Sequence, residues 1–119
     1  MTQAEEYLET MVSFRETVES GQGVRVTKNF IWPGKITQVM FHFPPGCNAL
    51  VDLRLEKGKQ PFYPRQGYLA LDNATPVYYV DADYSSREAL DFTVLNRDEE
   101  YPHSVSCTVV IRYKAKGQP

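Results

Sequence analysis

Two histidines (His42 and His103), two cysteines (Cys47 and Cys107) and Met40 make up the soft-ligand set of this sequence. Two His, one Cys and a weak axial Met build a blue-copper centre, so the set invites that reading. The segment Pro102-His103-Ser104-Val105 even resembles the histidine-bearing stretch of cupredoxins, but the order fails: Cys107 has no His or Met after it. Cys107 also alternates with Val105 and Val109, which makes it a small core hydrophobe. Neither cysteine has the histidine pairing of a zinc site. Asp81-Ala82-Asp83-Tyr84-Ser85 opens like a calcium loop, yet Ser86 stands where an EF-hand has Gly and Phe92 where it has Glu. The stretch reads as a turn whose Asp and Ser side chains bond their own backbone, with an irregular calcium site as the alternative. No metal or cofactor is expected.

Catalytic constellations are equally sparse. Ser104 and Ser106 lie near His103, but adjacent positions on a strand face opposite ways. There is no G-x-S-x-G elbow, P-loop, H-E-x-x-H or dinucleotide fingerprint. Asp98, Glu99 and Glu100 read as a solvated acidic loop. The expectation is a protein that is not an enzyme.

The conspicuous excess is aromatic: eight Tyr, six Phe and one Trp. Phe62, Tyr63, Tyr68, Tyr78, Tyr79, Tyr84 and Tyr101 fall in the middle and late segments. Such residues close the ends of a small sandwich, stack on sugars, or anchor protein interfaces. Met11, Phe14, Tyr63, Tyr68, Tyr78 and Tyr101 are the interface candidates.

The elements that must position these residues are strands. Val24, Val26, Lys28, Phe30 and Trp32 alternate with polar neighbours until Pro33-Gly34. Thr37, Val39, Phe41 and Phe43 form the next set, stopped by Pro44-Pro45-Gly46, since proline cannot donate to a ladder. Val51, Leu53 and Leu55 alternate with Asp52, Arg54 and Glu56, and Glu56-Lys57-Gly58-Lys59 is a turn. From Gln60 to Asp83, Pro61, Pro64, Gly67 and Pro76 cut the chain into short edge pieces such as 68–71 and 77–80. Leu90, Phe92 and Val94, then Val105, Cys107, Val109, Ile111 and Tyr113, restore the alternation. The fold class is therefore all-β, an antiparallel β-sandwich or jelly roll of about eight strands. Residues 1–9 are expected to be an arm or short helix, because Thr2 and Glu5 resemble a capping box. Residues 10–114 are expected to be the sandwich and 115–119 a polar tail.

Thirteen Lys+Arg against fifteen Asp+Glu leave a net charge of −2, so no cationic excess points to nucleic acid or anionic membrane. No apolar run approaches the ~20 residues of a membrane helix, and the acidic start lacks a secretory pattern. Two cysteines make at most one bridge. Together these features fit a reducing cytoplasm, or a particle assembled there.

Three segments carry a resemblance: Pro33-Gly34-Lys35-Ile36-Thr37, Phe43-Pro44-Pro45-Gly46-Cys47-Asn48-Ala49-Leu50-Val51, and Asn96-Arg97-Asp98 with Tyr101-Pro102-His103-Ser104-Val105. Together they resemble the small β-sandwich decoration or cement proteins on capsids of tailed phages and related viruses. The resemblance implies a non-enzymatic virion protein that self-associates and binds the major capsid protein's lattice. A homo-oligomer, with a trimer as the simplest ring, is the expected state. A carbohydrate- or other ligand-binding module is the alternative.

Overall fold

The computed structural model describes residues 7–85 and 87–114. Eight strands follow one another: β1 Tyr7–Val18, β2 Gly23–Lys28, β3 Gly34–His42, β4 Val51–Lys57, β5 Gln60–Tyr63, β6 Val77–Tyr84, β7 Leu90–Asn96 and β8 His103–Lys114. They form two four-stranded antiparallel sheets, β1-β8-β3-β6 and β2-β7-β4-β5. The all-β sandwich expected from the alternation is present.

The alternating residues meet between the sheets. Val51, Leu53, Leu55, Leu90, Phe92, Val94, Cys107, Val109 and Ile111 are fully buried, with Val105 nearly so. A strand's two-residue period sends every second side chain into the same layer, so one core results. Phe14 belongs to that core at 1% exposure, its ring centroid 5.5 Å from that of Phe92.

Three expectations need correction. Tyr7–Glu9 are strand and not arm or helix, because their backbone pairs with Lys114, Tyr113 and Arg112. The rest of the expected arm, residues 1–6, and the tail 115–119 lie outside the described residues. Secondly, Asp81–Tyr84 continue β6 and are not a turn: Ala82, Asp83 and Tyr84 pair with Ile36, Lys35 and Gly34. The long-range ladder overrode a polar local sequence. The 68–71 piece is reduced to a single bridge between Leu69 and Leu53.

One turn illustrates how local chemistry sets register. Gly58 and Lys59 alone link β4 to β5, and both have positive φ, 62° and 66°. A two-residue loop with both residues left-handed is a type I′ turn, whose twist matches the flanking strands.

Candidate functional site

The outward face of the β1-β8-β3-β6 sheet can be read row by row from the register. One row runs Glu9, Arg112, Lys35, Asp83. The next runs Met11, Val110, Gln38, Tyr79, and the one after it Ser13, Thr108, Met40, Val77. Met11 is 66% exposed, Tyr79 81% and Val77 38%. Met11, Val110, Met40, Val77 and Tyr79 of these two rows form an apolar stripe across all four strands, with Gln38, Ser13 and Thr108 as its polar members. Lys35 pairs with Asp81 and Asp83 along its charged margin. On the other margin His42 Nδ1 lies 2.7 Å from the Thr75 hydroxyl. A stripe of large side chains left in water on an otherwise polar face is a candidate contact surface.

Among the described residues β1 is an edge strand of this sheet, so its backbone groups that face away from β8 have no ladder partner there. The opposite-sheet residue Lys28 reaches that edge: its ammonium donates to the Ser13 carbonyl and sits 5.5 Å from the Phe14 ring centroid. A lysine over an edge partly blunts it. This device was invisible in sequence, because it joins residues of two different sheets.

The other interface candidates sit elsewhere. Tyr63 and Tyr78 stack at 4.2 Å, each also against Phe41, and close the opposite side of the sandwich while half-buried. Burial raises the Tyr78 hydroxyl above its ordinary pKa, with Tyr63 adding to the effect. Tyr68 covers the Arg54 guanidinium at 4.4 Å on the outer face of the second sheet. Tyr101, 62% exposed, stands on the β7–β8 loop. Only Met11 belongs to the stripe. Tyr79 and Val77, which complete it, come from the 77–80 piece expected as an edge strand, whose neighbours only the register shows.

The metal candidates are not gathered. Cys107 points into the core, where burial raises its thiol pKa strongly. Cys47 is also fully buried, and burial with nearby Asp72 raises it too. His103 Nε2 donates to Asp98 at 2.8 Å. Asp98 also accepts from the Glu100 and Tyr101 amides, and the His103 bond with these amides holds its carboxyl below the ordinary value. This clips the loop, and Thr17 with Ser104 bonds beside it at 2.6 Å.

A second feature lies on the outer face of the β2-β7-β4-β5 sheet. Arg25 bridges the buried carboxylates of Glu56 and Asp91, and the Thr27 hydroxyl donates to Asp91. Arg54 also pairs with Glu56 at 3.1 Å. Arg25, Thr27 and Asp91 of this network line a cleft of about 450 Å³, together with Lys59 and Arg87.

No protein-family model matches the chain, and no curated protein matches it. Solved structures share its fold. A crystal structure of FlhE aligns over 90% of this chain and 96% of its own, at TM-score 0.55 and 16% identity. A subunit of Bacillus endospore appendages, described as disulfide-linked pili, aligns over 96% and 93%, at TM-score 0.56 and 12% identity. The Yersinia pseudotuberculosis-derived mitogen aligns over 86% of each chain, at TM-score 0.51 and 13% identity. At these identities the likeness is one of fold.

Proposed function

We propose that this chain is a non-enzymatic structural subunit that associates with copies of itself and decorates a coat-protein lattice. The observation that carries the reading is the exposed stripe of Met11, Val77 and Tyr79 beside an unpaired strand edge. Isolated exposed apolar residues are ordinary, but a contiguous stripe across four strands has a cost in water that a partner removes. The strand order also supports reading the sandwich as a jelly roll: only β4 and β5 are consecutive neighbours in one sheet, and every other connection crosses between sheets. A second support is that a similar fold forms pili in the Bacillus endospore appendages. The segments resembling capsid decoration proteins favour a lattice as the setting.

Sedimentation velocity tests the reading. The wild-type chain is expected to associate in the micromolar range, and Met11→Ser with Tyr79→Ser to weaken co-sedimentation with a coat-protein lattice without changing the circular dichroism spectrum. A wild type that stays monomeric and does not co-sediment with a coat-protein lattice overturns it.

The cleft lined by Arg25, Lys59 and Arg87 favours a second reading, a module for an acidic ligand such as a carboxylated sugar. Lys59 and Arg87 carry no ion pair among the described residues and face the same cleft. The exposed aromatics do not form a sugar platform there, since Tyr79, Tyr101 and Tyr68 lie in separate places. Titration with an acidic oligosaccharide, read by shifts of the Arg25 and Thr27 amides, tests this alternative.

A further inference from the structure

We infer that β1 pairs antiparallel with β1 of a second copy about a two-fold axis at Val12, setting Glu9 of each strand opposite Arg15 of the other. The inference rests on the self-association reading and names its contact.

The Ser13 carbonyl is held by Lys28, which comes from outside the β1–β8 ladder. It therefore points away from β8. In an antiparallel strand the outward-pointing amide and carbonyl belong to alternate residues. Between Glu9 and Thr17 the outward-facing groups of β1 are thus those of Glu9, Met11, Ser13, Arg15 and Thr17. A partner strand satisfies them only in registers that pair odd residues with odd residues.

Charge chooses among those registers. Glu9 and Arg15 are both exposed, and neither has an ion pair among the described residues. Centring the pair on Val12 brings each Glu9 against an Arg15, twice by symmetry. Centring on Met11 sets Glu9 against Ser13, and centring on Ser13 sets Met11 against Arg15. Opposite charges directly across a strand pair stabilise it, and an isologous contact makes the match reciprocal.

The same register joins the apolar surfaces. Met11 faces Ser13 of the partner strand, and the two Met11 side chains become diagonal neighbours on the outward face. The row Tyr79, Gln38, Val110, Met11 then continues into the row Ser13, Thr108, Met40, Val77 of the second copy, and the reverse by symmetry, giving one eight-stranded sheet. Lys28 does not have to leave, because a carbonyl oxygen has two lone pairs. The Lys28 ammonium covers Ser13 in the free chain and remains beside the seam in the pair.

Charge reversal tests the register, with the association constant read by sedimentation equilibrium and folding checked by thermal melting. Glu9→Arg alone and Arg15→Glu alone are each expected to weaken association by roughly tenfold. The double variant Glu9→Arg/Arg15→Glu should return to the wild-type value. Rescue by the double reversal supports the pairing. If both single variants associate as wild type while Met11→Asp does not associate, the register is overturned and self-association stands. A wild-type trimer overturns the two-fold contact but not self-association, and a wild-type monomer that ignores a lattice removes both readings.

Discussion

Asn96 shows how one side chain joins three segments. Its amide nitrogen donates to the carbonyls of Val18 and Tyr101, both at 3.0 Å, and its oxygen accepts from the Asp98 amide at 2.9 Å. Replacing it with Ala leaves these groups without partners at a buried position, so Asn96→Ala is expected to cost about 1–3 kcal/mol in urea unfolding. Asp98 next to it gives the loop a pH dependence. Its folded pKa lies below the ordinary 3.8, so its contribution is complete above the unfolded value and is lost as pH falls through the folded one. The wild type should therefore lose more thermal stability than Asp98→Asn as pH drops from about 5 to about 2. Equal losses in the two proteins would show that the clip is not electrostatic.

At the scale of elements, two positions control whether strands can approach or turn. Gly34 opens β3, and a Cβ there would meet the Arg112 carbonyl oxygen of β8 at 2.3 Å. The obstacle is backbone, which cannot swing away, so Gly34→Ala should destabilise the fold by roughly 1–3 kcal/mol. Lys59 shows the opposite case. A lysine in the left-handed region is strained, and Asn tolerates that conformation better. Lys59→Asn should therefore raise the melting temperature by the equivalent of roughly 0.5–1 kcal/mol. A fall in melting temperature would mean that Lys59 contributes through its charge at the cleft rim instead.

For the whole molecule, the state of the cysteines decides how subunits can be joined. Both thiols are fully buried and held protonated by desolvation, which makes them poor nucleophiles. Any assembly of this chain is expected to be non-covalent, unlike the disulfide-linked pili to which its fold is similar. Oxidised samples run on a non-reducing gel should give no ladder of linked species, and reductant should leave sedimentation unchanged. A thiol reagent should label Cys107 only on unfolding.

Much of the sandwich was legible in the order of residues. Strands such as Val51–Lys57 and His103–Lys114 announce themselves because one face must be dry and the other wet, and a period of two is the only way a strand can do both. The turns at Gly58 and Pro44-Pro45 follow from backbone constraints that need no partner. The exposed stripe was less legible. Met11 was recognisable as a candidate, but its row-mates Val110 and Tyr79 come from strands distant in sequence, and only the register sets them side by side. Phe14 reads the same as Met11 in composition, yet a single step along the strand parity sends it into the core. The Arg25 bridge to Glu56 and Asp91 and the Lys28 cover on Ser13 also depend on which strands are neighbours. Alternation is a local property of the chain, whereas neighbourhood is decided by how two sheets close over one core, and only the tertiary structure makes that choice.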